Sequence, residues 1–584
     1  MAVSRVKIPP QHIPKAITFL AGIEKEKEKE TNNAAEKEEK KETKAQVLLA
    51  LAREAEYFQT PGMDVYATFS VNGHRETWPV RSRPFRRWLT GRFCATQGKP
   101  PGGQTVADVI EALEAEAQFG GGPEVSVYTR VAEKNGRIYL DLADEIWSAV
   151  EVGPDGWEVV ANPPVRFRRT RGMLPLPRPV KGGNIEDLRL FLNLPDDDAW
   201  RLVVAWLLAA FRPIGPYPIL LLQGEQGSAK STTARVLRAL VDPSTAPLRT
   251  APRDERDLMI GASNAWVLSF DNLSGLSSWL SDALCRLATG GGFATRELYS
   301  DSDEVIFDAM RPVILNGIDD LGGRPDLLDR AIVITLPAIP EEKRRDEATF
   351  WAEFEAARPR ILGALLDAVC AGLRNWATTR LNCLPRMADF ARWAAACESA
   401  CPWERGEFMT AYAGNRAEAV ETTLEADAVA VAIKTLLTER TEWEGTAAEL
   451  LAALQPPAWA ERTKAWPGSA RAMANKVRRL GTFLRQSGVE VEFYREAHTG
   501  RRLIHLQDNK GMTSSPSSPS SPITDTTESD RVTQRVTQPP SRELSSPLSS
   551  PLKFASALDS DDGDDGDDEI HTSFLNDGRE EMVL

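Results

Sequence analysis

The chain has 584 residues, 42% hydrophobic and 26% charged, with a formal net charge of −14. That length allows three or four domains, and the apolar content is enough for real cores. No apolar run reaches the roughly eighteen residues that cross a bilayer, and the first residues lack the apolar stretch of a secretion signal, so a cytoplasmic protein without a membrane partner is expected.

The six cysteines are scattered, and Cys397 and Cys401 have helical spacing with no histidine nearby. Core thiols in a reducing compartment suit that pattern better than zinc. Much of the negative charge sits in the last thirty residues, so it argues little against a nucleic-acid partner.

Residues 1–45 end in a mixed-charge run (24–44), expected as a solvated helix or a disordered spacer. Residues 46–178 read as a mixed α+β domain, with alternating strands at VYATFSV (65–71) and RIYLDLA (137–143). Within it, residues 80–93 interleave Arg81, Arg83, Arg86, Arg87 and Arg92 with Phe85, Trp88 and Phe93. Two readings stand: a stacking platform for single-stranded nucleic acid, or an amphipathic helix with an Arg-rich outer face. No paired carboxylates or metal cluster mark this region as a primase or nuclease centre.

Residues 185–212 read as helices leading into ILLLQGEQGSAKSTTARVLRAL (219–240). A continuous apolar run suits a parallel strand buried on both faces, and the turn after it opens a helix. GEQGSAKS fits the P-loop pattern G-x-x-x-x-G-K-[ST] except that Ala229 replaces the second glycine. Backbone N–H groups of Gly224, Glu225, Gln226, Gly227, Ser228, Ala229, Lys230, Ser231 and Thr232 would cradle the phosphates of ATP. Lys230 would reach the β- and γ-phosphates, and Ser231 would hold Mg²⁺. If position 229 needs positive φ, its β-carbon costs about 1 kcal/mol.

AWVLSFDN (265–272) reads as a strand ending in Asp271, about forty residues after Lys230 and placed to contact Mg²⁺. Asn272 follows, able to orient a water but not to act as a base; Glu225 is the alternative for that task. RPVILNGIDD (311–320) is a further apolar strand ending in Asn316, and DLLDRAIVITLP (326–337) places Arg330 directly before a fifth strand, with Arg324 a second candidate.

This order and spacing resembles superfamily 3 helicases and the helicase half of phage-type primase–helicases, within the AAA+-like P-loop ATPases. GEQGSAKSTTARVLR, LSFDNLSGL, SDALCRLATGGGFATRELYSD and RPVILNGI also look like bacterial and prophage ATP-binding proteins labelled helicases or primases. The resemblance covers about residues 180–370 and departs at Ala229 and Asn272. It implies Asn316 as sensor 1, Arg330 as a finger reaching the neighbouring subunit's site, and a homo-oligomeric ring. It also implies a pore hairpin at 294–310, where Arg296 at the base is the phosphate contact and the SDSD tip is acidic.

The expected fold class is α/β, with the P-loop core (180–340) built on a parallel sheet. A helical lid or bundle follows (341–440), then a winged-helix-like domain (443–507) and a disordered Ser/Pro-rich, acidic tail (508–584). In the winged-helix reading, Arg471, Lys476, Arg478, Arg479 and Arg485 lie on or near the second helix, with Arg495, Arg501 and Arg502 on the wing, all presented to DNA. The functional expectation is an ATPase of helicase or translocase type in phage or mobile-element replication. The alternative is an ATP-gated DNA-binding initiator or loader that unwinds nothing. Asn316, Arg330 and the winged helix argue against a P-loop kinase.

Overall fold

The computed structural model describes residues 43–273, 275–296, 304–307, 309–317, 325–463, 466–497 and 499–509. Most of the 24–44 charged run, the SDSD turn, Arg324 and nearly all of the 508–584 tail lie outside these residues.

Helix α1 (Lys44–Ala52) starts at a capping box, in which Thr43 accepts from the Gln46 N–H and Gln46 reaches back to the Thr43 N–H. Strands β1 (Glu56–Gln59), β2 (Val65–Val71) and β3 (His74–Pro79) form an antiparallel sheet in that order. Asn72 and Gly73 both take positive φ in the β2–β3 turn, the requirement of a two-residue hairpin. Helices α2 (Arg83–Gln97) and α3 (Gly103–Phe119) complete this module around a core of its own.

Helix α2 decides between the two readings of residues 80–93. Phe85, Leu89 and Phe93, spaced four apart, are buried, and Trp88 stacks on Phe69 at 4.3 Å. Arg81 and Arg92 pair with Glu114 and Glu54 on the outer side. The aromatic rings build the core, so the amphipathic helix holds and the stacking platform does not.

Strand β4 (Val127–Tyr128) pairs in parallel with β9 (Arg166–Phe167), and between them β5 (Val131–Lys134), β6 (Arg137–Asp141), β7 (Ala149–Gly153) and β8 (Gly156–Val160) form an antiparallel meander. The 46–178 segment, expected as one domain, therefore divides. Val131, Ile138, Leu140, Val150 and Val152 of the meander join the core of the residues that follow, not that of α1–α3. Two polar ties fix the junction. Arg130, fully buried, donates to Asp242, and the Trp157 indole donates to Asp367 at 2.8 Å.

A 3-10 turn (Ile185–Phe191) and helix α4 (Asp197–Ala210) lead to the central sheet. Asp196 caps α4 through the Ala199 N–H. Apart from Arg201, every residue from Ala199 to Ala210 is buried. The sheet contains β10 (Ile219–Gln223), β11 (Leu268–Leu273), β14 (Val313–Gly317) and β15 (Ala331–Thr335) in the order β11-β14-β10-β15, all parallel. Helices α5 (Lys230–Val241), α6 (Glu255–Asn264), α7 (Ser278–Thr289) and α8 (Pro325–Leu328) connect them. Alternate residues of β10 enter opposite cores, Leu220 and Leu222 on one side and Ile219 and Leu221 on the other. That is why the run is apolar without a break. Before β11 the chain adds only one isolated bridge, Arg249 to Phe270, so the described sheet has four strands and the strand after Arg330 is its fourth, not its fifth. Strands β12 (Phe293–Arg296) and β13 (Glu304–Phe307) form the hairpin expected there, with Arg296 opposite Glu304.

Helices α9 (Glu347–Asn375), α10 (Ala388–Cys397) and α11 (Glu407–Ala426) cover the sheet. Asn415 of α11 bonds both the N–H and the carbonyl of Val333, occupying the free edge of β15 with a side-chain amide. The last unit comprises α12 (Ala428–Glu439), β16 (Glu442–Gly445), α13 (Ala447–Ala453), α14 (Ala458–Thr463), α15 (Ala470–Gln486), β17 (Val489–Arg495) and β18 (Arg502–Asp508), with the sheet order β16-β18-β17. Helix α12 joins it, because Val429, Ile433 and Leu437 share a core with Met473, Val477, Leu480 and Leu506, and that core continues into Val420 and Leu424 of α11 and one face of the central sheet.

Candidate functional site

The carboxyl end of β10 runs into the 224–229 loop, and α5 begins at Lys230. Gly224 and Gly227 take φ of 136° and 80°, and a β-carbon at Gly224 would clash with the Leu336 carbonyl oxygen. Ala229 holds φ 64° and ψ 29°, the left-handed region, without glycine's freedom. Several bonds hold the loop in place. Asn193 donates to the carbonyls of Ser228 (3.1 Å) and Pro337 (2.6 Å), and the Ile339 N–H donates to the Gly227 carbonyl at 3.2 Å. The buried Ser228 hydroxyl donates to the Glu225 carbonyl at 2.8 Å.

Four of the expected site residues meet at this end of the sheet. Lys230 Nζ donates to the carbonyls of Gly224 (2.6 Å) and Glu225 (2.8 Å). The Ser231 hydroxyl donates to Asp271 at 3.0 Å, and the Asn316 amide donates to Ser231 at 3.1 Å and also to Asp271. Asn316 is almost fully buried, one strand over from β10, where Leu222 faces it in register. Glu225, Gln226 and Gly227 are exposed at the loop's tip, and Thr232 lies half-buried in the first turn of α5.

Asn272 is exposed at φ 56°, where the β11–β14 register shifts between Phe270 and Leu273. Asparagine tolerates left-handed backbone better than most residues, which gives this position a structural reason for Asn. Arg330 lies elsewhere. It precedes β15 at the end where Ala331 pairs with Ile219, while Thr335 pairs with Gln223 beside the loop. Four residues of strand, about 13 Å, separate the two ends. Its guanidinium donates to the Asp326 carbonyl at 2.6 Å. Within one chain Arg330 does not reach the loop.

Arg344 was not among the expected residues. Its guanidinium stands 3.5 Å from where a β-carbon of Gly227 would be, and its side chain is 57% exposed. No motif announces it; the run of Lys343, Arg344 and Arg345 is the only sign in the sequence.

A second candidate surface lies in the last unit. Arg471 and Arg478 of α15, with Arg495 and Arg502 of the wing, line a groove of about 690 Å³ together with Phe493 and Tyr494. Those two rings are 37% and 39% exposed, and Arg478 lies over Phe493 at 5.0 Å. Arg479 is exposed outside the groove's lining. Three expected nucleic-acid contacts are engaged within the chain instead. Lys476 pairs with Asp427 at the start of α12, Arg485 donates to the Val491 carbonyl at 3.0 Å, and Arg501 pairs with Glu449 at 2.8 Å. They serve packing and wing attachment before any ligand. Of Arg296 only the backbone is described. Among the described residues there is no cluster of metal-binding side chains and no helix long and apolar enough to cross a membrane.

Residues 185–415 match the family model of the actinomycete integrative conjugative element replication protein, and residues 429–521 match the AICE RepA C-terminal domain. No curated protein matches the sequence. Among solved structures the chain is similar to the C-terminal region of NrS-1. The A form apo structure shares 12% identity over 79% of this chain and 98% of that one, with a TM-score of 0.34. Another apo structure of the region shares 11% over 80% and 100%, with a TM-score of 0.33. Similarity at that level carries no functional argument. Over these two segments the chain is similar to the replication proteins of actinomycete integrative conjugative elements.

Proposed function

We propose that this replication protein binds and hydrolyses Mg²⁺-ATP at the 224–231 loop, read as a P-loop, and uses the cycle to act on DNA as a helicase or translocase. The observation that carries the reading is the meeting of Ser231, Asp271 and Asn316 beside a glycine-framed loop that opens a helix. The residues fit the ligand. Lys230 meets loop carbonyls and, among the described residues, no carboxylate, so its charge remains available for phosphate oxygens. A magnesium ion would neutralise phosphate charge here, and Ser231 and Asp271 are the oxygen donors that would hold it. Asn316 can orient a water or a phosphate oxygen through its amide, and Arg344 supplies a second cation at the loop's tip.

The winged-helix reading of the last unit rests on its element order and its β16-β18-β17 sheet. In that reading α15 meets DNA, and the arginines of its groove neutralise phosphates. A head-to-tail ring would give Arg330 a role, because one chain does not bring it to its own loop.

One observation favours the alternative of an ATP-gated initiator or loader. Ala229 and Asn272 both hold left-handed backbone, and Asn272 offers no carboxylate where a fast ATPase would have one. Steady-state ATP hydrolysis with and without single-stranded DNA separates the two. Strong stimulation is expected of the translocase; slow, unstimulated turnover with ATP-dependent DNA binding would establish the initiator. A chain that binds no ATP contradicts both.

A further inference from the structure

The amino-terminal region carries a cavity of about 330 Å³ that plays no part in the site above. Its floor is one face of the β2–β3 pair. Thr68 lies opposite Thr77, their buried hydroxyls 2.8 Å apart, and Arg75 stands two residues before Thr77 on the same face. Arg166 of β9, Trp147 and the exposed Lys134 also line it. Trp147 is held by Arg169, 4.1 Å over its ring, and by Trp78 at 5.5 Å, edge to face.

The charge in this cavity does not balance. Arg75 and Arg166 both reach one carboxylate, Glu56, whose side chain is 62% exposed while that of Arg166 is 24% exposed. Lys134 donates to the Pro164 carbonyl at 2.9 Å, which supplies no charge. Burial, and next the Arg75 charge, push the Arg166 guanidinium below its ordinary pKa, with Glu56 opposing. A bound anion would relieve that repulsion as Glu56 does, from inside the cavity.

We propose that this cavity is a second phosphate-binding site that takes one nucleotide unit, with its phosphate on Arg75, Arg166 and Lys134 and its base against Trp147. The volume lies within the range of small-ligand sites and suits one nucleotide. Two sources carry this chemistry, a free nucleoside triphosphate and a nucleotide of a DNA strand. Glu56 is then the competitor that the phosphate displaces.

The test uses the full-length chain with Lys230→Ala, Arg471→Ala and Arg478→Ala, so that neither the 224–231 loop nor the α15 groove dominates, and two labelled probes, ATP and a short oligothymidylate. For one of the probes, Glu56→Gln should tighten binding severalfold and Arg166→Gln should weaken it about tenfold. The probe that responds identifies the source. A carboxylate serving only to hold two arginines in place would not produce opposite signs. Should Arg166→Gln fail to fold, the exposed Glu56→Gln change decides alone. Unchanged affinity for both probes in the folded variants overturns the proposal, as does weakening by Glu56→Gln.

Discussion

Ala229 holds a backbone conformation that crowds its β-carbon, at a cost of about 1 kcal/mol. Glycine would relieve the crowding but loses a similar amount through its freer unfolded chain, roughly 0.5–1 kcal/mol. Ala229→Gly should therefore leave the melting temperature nearly unchanged while raising ATP turnover, which thermal unfolding beside steady-state kinetics would check. Arg344 is the other residue whose role rests on position alone. Being exposed and loosely paired, with Glu341 at 3.9 Å, it contributes little to stability. Arg344→Ala should raise the KM for ATP about tenfold, the loss of one charge-assisted contact. A variant with unchanged KM would mean that the guanidinium only covers the loop. The sequence pointed to Lys230, Ser231, Asp271 and Asn316 because each ends or follows an apolar strand, and the structure brings these four together. Arg344 and Asn193 were not legible, because each meets the loop through tertiary contacts with no local pattern.

At the scale of elements, α15 illustrates what periodicity conveys and what it leaves open. Its apolar positions Met473, Val477, Leu480 and Leu484 mark the buried face and so the helix itself. Which cations remain free depends on partners far along the chain, Asp427 for Lys476 and Glu449 for Arg501. Substitution should separate the two groups. Arg471→Ala with Arg478→Ala should weaken DNA binding and lower its salt dependence by about two phosphate contacts. Lys476→Ala should instead lower thermal stability modestly and leave the salt slope alone. Equal effects of both on DNA affinity would contradict the assignment of the groove. The β5–β8 meander shows the same limit. Its alternation revealed strands, but a half-apolar sheet does not say which helices will cover it, and α9 does so through Trp157 and Asp367.

At the scale of the whole molecule, the central sheet has the 224–231 loop at one end and Arg330 at the other. If assembly brings the two ends of neighbouring copies together, Arg330→Ala should keep ATP binding and lose hydrolysis, since fingers supplied by a neighbour contribute on the order of 10³-fold or more. Mixing it with the Lys230→Ala chain should then restore part of the activity, and no recovery in demonstrably mixed assemblies would make Arg330 structural. All of this depends on the loop being a nucleotide site. The most direct measurement is equilibrium binding of labelled ATP with magnesium to the wild-type chain and to Lys230→Ala, with turnover followed in the same samples. The account predicts saturable binding and hydrolysis by the wild type, both lost or severely weakened in the variant. Wild-type turnover by Lys230→Ala, or no ATP binding by either chain, would contradict it.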